Sequence, residues 1–167
     1  QGSKDAKKGT WEKGPGLKFW EIITEAFPHL PFLAEDLGDI SKGVRDLRTS
    51  AGLPGMAVLQ FAFDGNPQNL YLPHNLSKDL VLYTGTHDND TSCGWYHSTD
   101  ETTRSFFRSY LNIDGSTPGW DMLRHAYRSV SQLVIVLAQD LLSLGKDARF
   151  NTPGEPCGNW NWRMTED

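Results

Sequence analysis

Four short apolar runs, residues 30–34, 56–63, 80–83 and 148–150, each give way at once to polar residues, and helix-like stretches lie between them. Apolar runs of this length bounded by turn signals read as buried strands. Strands that alternate with helical stretches predict parallel β/α units joined by crossover helices, so the fold class is α/β. Folds of this kind build their sites from polar residues gathered where the strands finish. Periodicity leaves two architectures open, a doubly wound open sheet or a piece of a closed (β/α)8 barrel. A complete barrel takes roughly 200 residues or more, so 167 residues would hold about half of one.

The helical stretches follow from spacing and punctuation. After the turn signal Gly14-Pro15-Gly16, apolar residues at Phe19, Ile22, Ile23, Ala26 and Phe27 predict a buried-face helix that Pro28 stops. Asp39 or Ser41 can cap a second helix whose Ile40, Val44 and Leu47 share a face, broken by the Gly52–Gly55 turn. Residues 99–111 read as helical. Residues 122–144 read as the clearest helix, with Leu123, Ala126, Val130, Leu133, Leu137 and Leu141 on one stripe and Gly145 as its cap. Residues 1–16, rich in Gly and Lys, read as a flexible or loop segment, and 17–167 as one domain. The 38% hydrophobic content is enough for a single core.

Charge and cysteine usage narrow the function. A net charge of −5, with Lys4, Lys7, Lys8 and Lys13 only loosely clustered, offers no basic stripe for nucleic acid. No stretch approaches the roughly 20 apolar residues of a membrane span, and no secretory leader is visible in residues 1–30. Cys93 and Cys157 lie far apart without ligand spacing, which signals neither a disulfide framework nor a zinc site. Reduced thiols in a cytoplasm-like compartment are expected.

Two clusters can carry chemistry. Glu35 follows four apolar residues and precedes Asp36, so its carboxyl can sit at a strand end beside apolar walls. A carboxyl so placed can give a proton to a leaving oxygen, as a general acid in glycoside cleavage must. Alternatively, Glu35 and Asp36 cap the next helix or pair with Arg45 or Arg48, since structural ion pairs use the same residue types. His87, Asp88, Asn89 and Asp90 follow the third run and suit a sugar's hydroxyls, although a surface turn uses such residues as well. Adjacent ligands rarely converge on one ion, so no metal site is expected. Six Trp residues, Trp11, Trp20, Trp95, Trp120, Trp160 and Trp162, could stack on glucose faces or pack in the core.

Longer strings are more specific. Ala34-Glu35-Asp36-Leu37-Gly38, Gly52-x-Pro54-Gly55-Met56-x-Val58-Leu59-Gln60-Phe61-Ala62-Phe63 and Asn69-x-Tyr71-x-Pro73-His74-Asn75 occur in order. They are followed by Tyr83-Thr84-Gly85-Thr86-His87-Asp88-Asn89-Asp90-Thr91 with Gly94-Trp95, then Arg149-Phe150-Asn151-Thr152-Pro153-Gly154 with Gly158-Asn159-Trp160-x-Trp162-Arg163. Together they resemble the 4-α-glucanotransferases of the amylomaltase family of glycoside hydrolases.

The resemblance implies that residues 17–167 are part of the catalytic domain, the C-terminal half of a (β/α)8 barrel, of an enzyme that transfers α-1,4-glucan segments with retention, using no metal or organic cofactor. It implies malto-oligosaccharides or other α-1,4-glucans as partners, and a cytoplasmic or plastid location. Glu35 matches the family's acid/base and Asp88 its transition-state stabiliser. His87, Asn89 and Asn151 match sugar contacts, and Phe61 an acceptor-side platform. The family's nucleophile, an aspartate in an Arg-x-Asp-His motif, has no counterpart here. Retention needs two carboxyls roughly 5 Å apart, so these residues alone are expected to be inactive and to associate with a missing N-terminal half or with themselves. A non-catalytic α-glucan-binding module is the competing reading.

Overall fold

Gly16, at a φ of 63°, delivers the chain into helix α1 (Leu17–Ala26), and Pro28 ends the helical pattern just beyond it. The computed structural model describes residues 9–10, 12–38 and 40–165. The expectations for Lys4, Lys7, Lys8, Trp11 and Asp39 lie outside them. Helix α1 forms where expected, but its apolar face is not buried: Phe19, Ile22 and Phe27 are all exposed. Trp20 packs edge-on against Phe19 and Phe32 instead.

The first expected strand, 30–34, does not form. Ala34 N–H donates to the Pro54 carbonyl at 2.9 Å, and no ladder follows because Asp36 Oδ1 takes the next available donor, Met56 N–H, at 2.9 Å. A side chain therefore stands where a neighbouring strand's carbonyl would. Asp36 also pairs with Arg48 of helix α2 (Lys42–Ser50) at 3.2 Å, both side chains largely buried. The Ser41 hydroxyl caps α2.

Three strands form a parallel sheet in the order β1 (Gly55–Val58), β2 (Leu80–Tyr83) and β3 (Leu133–Ile135). Helices α3 (Ser92–Ser98), α4 (Glu101–Leu111) and α5 (Pro118–Tyr127) lie between β2 and β3, and the short α6 (Ala138–Leu141) follows β3. Side chains alternate across a strand, and the register Ala57↔Leu82↔Val134 puts these three on one face. That face packs on Phe107, Leu111, Met122 and Ala126 of α4 and α5. Met56, Tyr83 and Ile135 face the other way.

Three further expectations change. The second apolar run is a strand only to Val58; Leu59–Phe61 is a 3-10 turn, which swings Phe61 out while Leu59 stays buried. The long helix expected at 122–144 is α5, β3 and α6. Three consecutive β-branched residues, Val134, Ile135 and Val136, favour a strand, and the apolar stripe of a helix cannot be told from successive short runs by spacing alone. The last expected strand, 148–150, does not form: Ala148 closes the 3-10 turn Lys146–Ala148 and residues 149–150 join no sheet, and the cap expected of Gly145 is absent because α6 has already ended at Leu141.

Candidate active site

The parallel strands end together, and a cleft of about 790 Å³ opens at their carboxyl ends. Met56, Tyr83 and Ile135, on the sheet face turned away from the helices, give it an apolar floor together with Leu137, just beyond β3. Glu35, Phe61, His87, Asp88 and Asn89 line it as well. Glu35 and Asp88 are its two acids among the described residues.

Glu35 and Asp36 have divided the two roles that spacing left open. Asp36 takes the ion pair with Arg48, while Glu35 lines the cleft, is exposed, and makes no ion pair among the described residues. Its carboxyl is therefore uncommitted to the fold and available to a ligand. The enclosure expected from the preceding apolar residues is lacking, because Leu33 is itself 39% exposed.

The 84–92 loop carries the other acid. Asn89 Oδ1 accepts from Thr86 N–H at 2.9 Å and Thr86 Oγ1 at 2.8 Å, a local closure that tightens the loop and turns His87 and Asp88 outward. Gln60 Nε2 donates to the Asp90 carbonyl at 2.9 Å from beneath. Asp88 Oδ1 accepts from Asn151 Nδ2 at 2.6 Å and lies 3.4 Å from His87 Nε2. Asn151 thus reaches the cleft through Asp88, and its own N–H bonds the His87 carbonyl at 3.2 Å. Phe61 presents a half-exposed ring set edge-on to Tyr71, and Asn69 Nδ2 fixes the Phe61 carbonyl at 2.8 Å. A carboxyl held by an amide donor beside a free carboxyl, an imidazole and a flat aromatic can grip a polyol and move a proton within it.

The sequence pattern of the 4-alpha-glucanotransferases matches residues 1–167. The chain belongs to this family. It is 46% identical over 167 residues to the 4-alpha-glucanotransferase of Thermus thermophilus, covering 95% of this chain and 33% of that one. The chloroplastic/amyloplastic 4-alpha-glucanotransferase of Arabidopsis thaliana is 45% identical over 97% of this chain and 28% of its own. Among solved structures, the amylomaltase of Streptococcus agalactiae in complex with acarbose superposes with a TM-score of 0.89 at 34% identity, covering 95% of this chain and 32% of that one. The chain thus spans about a third of the length of these relatives.

Within this 4-alpha-glucanotransferase segment, two site residues had no role assigned from sequence. Arg149 donates Nη2 to the Asp88 carbonyl at 2.7 Å and Nε to the Asn151 carbonyl at 2.8 Å, tying the two loops together. Trp160 lies against the His87 ring with centroids 5.2 Å apart and stacks on Phe150. Its backbone sits in the left-handed region at φ 62°, and its N–H bonds the Phe150 carbonyl at 2.6 Å. Both residues fall inside the strings that carried the resemblance, which was the available signal. Of the other tryptophans, Trp95 is spent on packing against Phe63 and Phe107.

Proposed function

We propose that these residues form the acid/base and transition-state-stabilising side of an active site that transfers α-1,4-glucan segments between malto-oligosaccharides with retention. The observation that carries the reading is the cleft itself: Glu35 lines it free of the fold while Asp88, held by Asn151 at 2.6 Å, lines it with His87 and Phe61. In this reading Glu35 protonates the departing glycosidic oxygen and later takes the proton of the incoming hydroxyl. Asp88 grips the reacting ring's hydroxyls and stabilises the positive charge that develops on it. His87, Asn89 and Asn151 contact or orient the sugar, and Phe61 stacks under the acceptor. The acarbose complex of the Streptococcus agalactiae relative supports an oligosaccharide ligand.

The sheet then belongs to the C-terminal half of a (β/α)8 barrel, with residues 17–167 as part of that catalytic domain. The nucleophile required for retention comes from a strand bearing the Arg-x-Asp-His motif, which this sequence does not contain. The enzyme works in the cytoplasm, or in a plastid as the names of the plant relatives indicate for theirs.

The test is maltotriose disproportionation by the full natural chain that carries these residues, or by a chimera in which they replace the matching third of the Thermus thermophilus relative. Transfer is expected, and Glu35→Gln should lower it by about 10²- to 10⁴-fold or more. A chimera that binds acarbose by calorimetry yet forms no longer oligomers would refute the reading.

A further inference from the structure

The loop that carries His87, Asp88 and Asn89 begins at Thr84 and ends at Ser92, and both ends are fastened to one buried carboxylate outside the cleft. Asp140 of α6 has 0% exposure. It accepts from Thr84 Oγ1 at 2.7 Å, Ser92 Oγ at 2.8 Å and Ser92 N–H at 2.7 Å, and Thr84 and Ser92 are themselves fully buried. The preceding residue, Gln139, is 1% exposed and donates Nε2 to the Ala148 carbonyl at 3.0 Å, immediately before Arg149 and Asn151. Helix α5 presses on this pair: a Cβ on Gly119 would lie 3.0 Å from the Asp140 carbonyl oxygen. Helix α6 therefore grips the bases of both loops whose tips meet in the Asn151–Asp88 bond.

We propose that Asp140 is a positioning residue for Asp88, and that with Gln139 it sets the distance between the Asp88 and Asn151 loops. Burying a carboxylate with no ion pair among the described residues costs free energy that an apolar residue would avoid. A carboxylate has two acceptor oxygens with about four lone-pair sites and no donor of its own, so it can hold three donors from two loop ends at once. An amide at this place supplies one oxygen, and its NH2 faces hydroxyls that must then turn round. The charge-assisted bonds are short and directional, which transmits the placement of α6 to a carboxylate that must meet a sugar ring accurately. The activity readout below rests on the proposed transferase function; the exchange readout does not.

The experiment compares Asp140→Asn and Thr84→Val with the unaltered full natural chain. Amide hydrogen exchange is expected to accelerate at 84–92 and 149–152, while β1 and α4 keep their rates. In maltotriose disproportionation kcat should fall by about 10²-fold, as for an ångström-scale misplacement, with KM little changed. No further loss should appear once Asp88 is already Asn. The proposal is overturned by unchanged exchange at the two loops, by acceleration spread evenly over the fold, or by a kcat loss that persists in the Asp88→Asn background. If the unaltered chain performs no transfer, the functional reading fails and the exchange pattern still decides this one. Should Asp140→Asn not fold, Thr84→Val, which removes one donor and leaves the carboxylate, is read the same way.

Discussion

At the scale of single residues, neighbours in sequence have been given opposite duties by the direction their side chains take. Glu35 faces the cleft, and Asp36 turns away to hold Arg48 and the Met56 N–H. Adjacent residues of an extended segment point to opposite sides, so one of the pair lines the cleft while the other holds the fold. The two thiols show the same contrast. Cys93 is buried beside Gly119, and burial first, then the nearby Asp140 carboxylate, push its thiol above the ordinary value against a lowering bond from the Gly119 backbone. Cys157 is exposed. Because the thiolate is the reactive form, an alkylating reagent at neutral pH should label Cys157 first. Mass spectrometry finding Cys93 labelled as fast would contradict this burial.

At the scale of elements, helix α4 is the support for everything above β1 and β2. Its Phe107 is fully buried and meets Phe63 at 4.8 Å, Trp95 at 5.4 Å and Tyr96 at 5.6 Å. Phe107→Ala should cost about 3–5 kcal/mol in chemical denaturation, and a loss near zero would mean that the cluster repacks. The start of α4 carries an acid response. Asp100 Oδ1 accepts the Thr103 N–H at 2.9 Å and Oδ2 the Thr103 hydroxyl at 3.0 Å, and these bonds, the backbone one foremost, lower its carboxyl from its ordinary value of 3.8. A folded-state value below the unfolded one means that the stabilisation is complete above 3.8 and is lost as pH falls through the folded value. Exchange in the first turn of α4 should therefore quicken on acidification through that window. Asp100→Asn, which still caps, should remove part of that response, leaving the part due to Glu101, whose pairing with Arg108 and Arg104 lowers it too.

At the scale of the whole molecule, the sheet is covered on its helical face and bare at its margins. The outer edge of β3 meets no strand among the described residues, and the 30–36 segment makes a single backbone bond beside β1, to Pro54 just before it. Tyr127, Val130, Leu133 and Leu142 are each more than half exposed near the β3 side, as are Ile22 and Leu30 near the other end of the chain. Unpaired edges flanked by apolar surface invite pairing with another chain. Residues 1–167 alone should accordingly self-associate in sedimentation velocity or melt without a sharp calorimetric transition; a monodisperse, cooperatively melting monomer would count against that.

Much of this was legible in the chain of letters. The α/β class, β2, α4 and the order of the motifs are local matters of spacing and punctuation, which a sequence states directly, and the candidate carboxyls Glu35 and Asp88 stood at the ends of apolar runs. The regular alternation did not hold, since the β1–β2 crossover carries only 3-10 turns and no α-helix. Tertiary structure alone decided the rest. Residues 122–144 satisfy a helical stripe, yet they divide into α5, β3 and α6 because β2 offers Leu133–Ile135 a hydrogen-bonding edge that no local pattern records. Residues 30–34 satisfy a strand pattern but form none, since a strand needs partners and Asp36 occupies the donor that a partner would use. The grip of Asp140 on Thr84 and Ser92, 56 and 48 residues away, is a pairing of distant polar groups. Such pairings are set by where the elements pack, and short-range sequence periodicity carries no signal of them.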